Sequence, residues 1–128
     1  LTVEENMTLP LLLDDKKVDR AHFDSLVQVL GLQHRLGHLP SELSGGQQQR
    51  VSIGRALMNN PAILLADEPT GNLDSKNSKE IVELLRQFNK ALNQTVIIIT
   101  HDERIALDAD RVIAVEDGKI VKDEVIRQ

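Results

Sequence analysis

The chain has 128 residues, a formal net charge of −5 and 41% hydrophobic residues. That suffices for one modest domain, and no apolar run approaches the ~20 residues of a membrane-spanning helix. An acidic chain with two Phe and no Tyr or Trp argues against a nucleic-acid surface, and zero Cys excludes disulfides and cysteine-based metal or redox sites.

In chain order, Thr2-Val3-Glu4-Glu5 has capping-box spacing and starts a short helix. Pro10 is expected to end or kink it near Leu11-Leu12-Leu13, a cluster that reads as core. Residues 14–19 form a charged linker. A second helix is expected from about Val18 to Leu30, with Val18, Ala21, Leu26, Val29 and Leu30 on one face and Gly31 as its stop. His34 and His38 are four apart, but Gly37 and Pro40 argue against a helix there, and no Cys or carboxylate completes a metal set.

Ser44 is a good N-cap with Gln47 three residues on, so a helix is predicted from about Gly45 to Met58. Its N-terminus offers unpaired N–H groups and a positive dipole end, and Gly45-Gly46 permits close approach to the backbone. That is an anion site, and phosphate is the natural anion. The plain alternative is a capped helix with a glycine-rich lead-in. Gly54, inside this helix, is expected to cost about 1 kcal/mol unless close packing needs it.

Pro61 punctuates the chain, and Ala62 to Ala66 is an unbroken apolar run that reads as a strand buried on both faces of a parallel sheet. It ends in Asp67 and Glu68, where open α/β sheets place ligands. Two adjacent carboxylates there suit a divalent cation, held by Asp67, and an activated water, polarised by Glu68. The plain alternative is an acidic turn. Asp74 or Ser75 then caps a long helix to about Leu92, with Ile81, Leu84, Leu85, Phe88 and Leu92 at helical spacing. Thr95 to Thr100 is a second strand, expected to be buried, with Val96-Ile97-Ile98-Ile99 at its heart. Strand–helix–strand implies a parallel pair, which puts His101 at the same edge as Asp67 and Glu68. Residues 102–108 form a short helix. Asp117-Gly118, between Arg111–Glu116 and Lys119–Lys122, signals a β-hairpin.

Four of these stretches resemble, in order and spacing, the motifs of ATP-binding cassette (ABC) ATPases. LSGGQ at Leu43–Gln47 resembles the signature, ILLADEP the Walker B, Gly71-Asn72-Leu73-Asp74 the D-loop, and Thr100-His101-Asp102 the switch histidine. The form DEPTGNLDS, with LTVEEN upstream, is most similar to the lipoprotein-release, macrolide-export and cell-division subgroup. The resemblance implies an α/β fold: a partial P-loop NTPase with an α-helical signature subdomain at residues 1–58. A parallel-sheet core fragment with a C-terminal hairpin follows at 59–128.

The resemblance also implies ATP and Mg²⁺ as ligands and hydrolysis by head-to-tail pairs of subunits. Glu68 and His101 are then catalytic, and Asp67 supports the metal. Ser44, Gly45, Gly46 and Gln47 contact the γ-phosphate held by the partner subunit, and Asp74 helps align the partner's site. A transmembrane permease is the second partner, and its coupling helix is another possible contact for Leu11–Leu13. The protein is expected on the cytoplasmic, inner face of the membrane, powering export or lipid-linked extrusion. The sequence departs from the pattern in one respect. It holds no GxxxxGK[ST] loop: the one Gly-Lys pair, Gly118-Lys119, is followed by Ile120, with Ile113 where the first glycine belongs. The chain therefore reads as the C-terminal portion of such a domain, starting just after the glutamine switch loop and inactive alone. The alternatives are an ABC ATPase of DNA repair or translation, or a non-catalytic interaction fragment.

Overall fold

The computed structural model describes residues 1–127. Helix α1 (Val3–Leu13) is set by a complete capping box. Thr2 Oγ1 accepts from Glu5 N at 3.2 Å, and Glu5 Oε1 accepts from Thr2 N at 2.9 Å. The helix runs through Pro10 without ending there. Of the three leucines that follow, only Leu11 is buried; Leu12 and Leu13 are exposed, contrary to their reading as core. Helix α2 (Arg20–Leu30) also differs from expectation. It starts at the Asp19 cap, not at Val18, and ends at Gly31 with φ 68°. From that start, Phe23, Leu26, Val27 and Leu30 fall on the inner face at i, i+3, i+4 and i+7. Ala21 and Val29 point outward.

Helix α3 (Gly45–Leu57) packs against α1 and α2, and helix α4 (Ser75–Ala91) packs against α3. Strands β1 (Ile63–Asp67) and β2 (Thr95–Ile99) pair in parallel as expected, with Ile63 opposite Thr95 and Asp67 opposite Ile99. One apolar cluster joins α1–α3 to β1 and α4. Leu64 is buried in it, and Ala66, Val96 and Ile98 pack against it. Their neighbours Ile63, Leu65, Ile97 and Ile99 lie on the other face of the pair and are exposed. The expectation that Ala62–Ala66 is buried on both faces, and that Thr95–Thr100 is buried, is thus corrected. Helix α4 covers one face, nothing among the described residues covers the second, and the period-2 pleat makes burial alternate. The chain exposes 8581 Å², about a quarter more than the ~6,800 Å² expected of a folded monomer of 14.3 kDa.

Helix α5 (Glu103–Ala106) is a single turn capped by Asp102. Strands β3 (Arg111–Glu116) and β4 (Lys119–Val125) form the predicted antiparallel hairpin. Asp117 and Gly118 both have positive φ, 50° and 75°, the backbone a two-residue turn of this hand demands. Arg111 clasps Asp123 across the strands at 2.8 and 2.6 Å.

Candidate functional site

The carboxylate edge is built by the parallel ladder. Asp67 is the last residue of β1, and the ladder continues one bond further, with Glu68 N donating to Ile99 O at 2.8 Å. Glu68 then takes φ 48°, a left-handed conformation uncommon for a side chain of its size. The chain bends sharply there, and Gly71 N closes the turn onto Glu68 O at 3.1 Å. The bend aims the Glu68 carboxylate toward the neighbouring strand's end. There, two residues beyond β2, His101 Nε2 lies 3.4 Å from Glu68 Oε1.

That contact is loose. His101 is almost wholly in solvent, and Glu68 Oε1 is buried without a well-aligned hydrogen bond. With the ring in solvent and no well-aligned hydrogen bond to hold it, His101 is free to turn to another anion. Asp67 is exposed and has neither a salt bridge nor a side-chain hydrogen bond among the described residues. Nor do the described residues form any cluster of three His, Cys, Asp or Glu able to cage a metal. Only a cation held largely by water and by its ligand's own oxygens fits here. Mg²⁺ beside a phosphate is bound in that way.

A second edge lies at the N-terminus of α3. Ser44 Oγ accepts from Gln47 N at 3.2 Å, and Gln47 Oε1 accepts from Ser44 N at 2.9 Å. This capping box consumes the two polar side chains and leaves the Gly45 and Gly46 N–H groups for an outside acceptor. The glycines also lie against the start of α4. A Cβ on Gly45 would sit 3.4 Å from Leu73, and one on Gly46 only 2.8 Å from Asn77 Oδ1. Asp74 caps α4 by accepting from Asn77 N at 2.8 Å. Ser44–Gln47 and Asp74 are thus neighbours, while Asp67, Glu68 and His101 are a separate group. No hydrogen bond or ion pair among the described residues joins the two.

The family described as ABC transporter matches residues 1–71. This chain belongs to the ABC transporter ATP-binding family. The macrolide export ATP-binding/permease protein MacB of Chlorobium luteolum is 48% identical to it over 126 residues, covering 97% of this chain and 19% of that protein. An ABC transporter ATP-binding protein of Methanocaldococcus jannaschii is 47% identical over 124 residues, 95% of this chain and 55% of that protein. Among solved structures, the bacterial ABC transporter cassette MJ0796, determined as a dimer, superposes with a TM-score of 0.82 at 40% identity. All of this chain and 58% of that one are matched. The same cassette has also been solved in a post-hydrolysis state with ADP and Pi. The chain spans about a fifth to just over half the length of these curated relatives. The fold of this ABC chain is accordingly the mixed one expected: helices, a parallel pair and a hairpin.

Sequence reasoning missed Asn77, Arg50 and Glu80. Asn77 is the side chain that Gly46 makes room for, and Arg50 joins α3 to Glu80 on α4. Their only sequence signal is spacing: Gly46 and Arg50 share a face of α3, as Asn77 and Glu80 share one of α4.

Proposed function

We propose that the intact protein hydrolyses ATP and that hydrolysis drives a membrane permease, separate or fused. The observation that carries this reading is the sheet edge: Asp67, Glu68 and His101 at the C-terminal ends of two adjacent parallel strands, with Glu68 bent toward His101. Such edges take phosphate-bearing ligands. Asp67, unpaired, would hold Mg²⁺ together with water and phosphate oxygens, and the ion when bound neutralises charge on those oxygens. Glu68 orients the attacking water and accepts its proton. His101 swings from its loose contact with Glu68 to donate to the γ-phosphate.

The second edge acts on a different nucleotide. The Gly45 and Gly46 N–H groups, framed by Ser44 and Gln47, face the γ-phosphate bound by a second ATPase subunit, and Asp74 aligns that partner's site. The separation of the two edges supports this division, as does the dimeric cassette of similar fold. Residues 1–58 then form the signature-bearing half and 59–128 the hydrolytic half. The bare face of β1 and β2 is covered by the part of the cassette that carries the phosphate-binding loop. MacB relatives, named as export ATP-binding/permease proteins, favour export as the direction. No helix among the described residues is long and apolar enough to cross a membrane. The permease brings the subunit to the cytoplasmic face.

Glu68→Gln in the complete cassette tests the reading. Gln keeps the shape but is a far poorer proton acceptor, so turnover should fall about 10²–10⁴-fold. ATP binding should persist, and the pair should elute from a sizing column as an ATP-dependent dimer. Near-normal hydrolysis would remove Glu68 from this role.

A further inference from the structure

Arg50 lies one turn into α3 and its guanidinium is held on both sides. Nη1 donates to the Leu30 carbonyl and Nη2 to Glu80 Oε2, each at 3.1 Å. The Leu30 carbonyl belongs to the last turn of α2. There Gly31 turns the chain away, and the next N–H groups go to Gln28 and Val27. It is one of the acceptors a helix end leaves unpaired, and Arg50 satisfies it. One side chain therefore ties the end of α2 to α3 and α4.

One turn nearer the N-terminus of α3 is the Gly46–Asn77 contact. Gly46 to Arg50 is four residues along α3, and Asn77 to Glu80 is three along α4, so each pair lies along one helix face. The two contacts are rungs of a single seam. The upper rung touches the edge that carries Ser44, Gln47 and Asp74. The lower rung is the ion pair, with side chains 23% and 43% exposed. Exposed pairs of this sort add little stability. What an Arg fork supplies is direction as well as distance.

We propose that Arg50 and Glu80 are positioning residues that lock the slide of α3 along α4. Ser44–Gln47 and Asp74 then meet the partner subunit as one rigid edge. The inference rests on the reading that this edge closes over a partner's nucleotide. Neither strut residue touches nucleotide. A small slide of α3 would leave the apolar cluster intact yet move the phosphate-facing N–H groups. Misplacement of about 1 Å lowers a rate about 10²-fold where geometry does the catalysis.

A double-mutant cycle in the complete cassette tests this. Arg50→Ala and Glu80→Ala should each lower kcat for Mg-ATP at least about tenfold, with KM within about threefold. The double variant should be no worse than Arg50→Ala, which already removes both of the guanidinium's bonds. Glu80→Gln still accepts from Nη2 and should stay within about threefold of the parent. Losses that multiply in the double variant, or a kcat loss that only tracks a fall in thermal midpoint, would overturn the proposal. Hydrogen exchange supplies a readout free of activity: amides 48–51 and 78–81 should exchange faster together in both alanine variants. Unchanged protection overturns the strut even if ATPase falls. An inactive parent cassette would sink the ATPase reading while leaving the exchange test to decide the strut.

Discussion

Gly54→Ala is the sharpest test of how the three N-terminal helices pack. On an exposed helix, Ala in place of Gly gains about 0.5–1 kcal/mol. Gly54 is buried, and an added Cβ would lie 2.8 Å from both Leu30 Cδ1 and Met7 Cε, and 3.3 Å from Met7 Sδ. Contacts that short force the neighbour to move. The atoms met are side-chain ends, and since Met7 and Leu30 are fully buried, they can give way only by repacking against other buried side chains. Overpacking of this kind costs about 1–3 kcal/mol. The propensity gain offsets part of that, leaving a net loss of up to about 2.5 kcal/mol. For a chain of this size the thermal midpoint should drop by up to roughly 12 °C. Met7→Ala alone should cost about 2–5 kcal/mol. In the double variant the new methyl fills part of the gap, so the loss should fall short of the sum by about 0.5 kcal/mol or more. Urea unfolding and thermal melts of the three variants measure this. A higher midpoint for Gly54→Ala, or strict additivity with Met7→Ala, would refute the packing argument.

Other outcomes follow from the same structure. Hydrogen bonding from Arg111 holds the Asp123 carboxyl below the usual range. Its contribution to the hairpin is therefore present above about pH 4 and lost as pH falls through the folded value. An NMR titration should show the low value and its return toward normal in Arg111→Ala; no difference between the two chains would dismiss the clasp. His101→Ala should leave the fold and the thermal midpoint nearly unchanged, since its contact with Glu68 is loose and exposed, while turnover falls at least about tenfold. A stability loss of more than about 1 kcal/mol, a midpoint drop of roughly 3–6 °C, would mean His101 is structural. The 128 residues alone should bind Mg-ATP no tighter than millimolar by calorimetry, because they hold no GxxxxGK[ST] cradle. Micromolar binding lost on Asp67→Ala would overturn that.

What was legible in the sequence is what local spacing decides. The Thr2, Ser44 and Asp74 caps act within three residues, and Asp117-Gly118 sets the hairpin by its own backbone preference. The parallel pair and the common edge of Asp67, Glu68 and His101 followed from strand–helix–strand order. Burial was harder. The run from Ala62 to Ala66 shows no alternation, so the sequence does not say that only one face is covered. In α2, a start placed one residue ahead of the Asp19 cap turned the inferred face toward Ala21 and Val29 and away from Phe23 and Val27. Arg50 has no local signal for its role, since its partners lie 20 and 30 residues away. The need for glycine at position 54 also depends on a distant residue, Met7, that no local pattern reveals. The left-handed turn at Glu68 has no sequence signal, because Glu there is not a residue that favours positive φ.

The central claim is that this chain carries two halves of two different nucleotide sites. Mixed dimers of the complete cassette, one subunit carrying Ser44→Arg and its partner unaltered, test it most directly. Arg adds bulk at the N-terminus of α3, where the subunits would close. With a photo-reactive ATP analogue, trapping should fail in the unaltered subunit's nucleotide site, the one that receives the mutant α3 edge. The mutant's own site, which meets the intact edge of its partner, should trap normally. Loss confined to the mutant's own site would contradict the account.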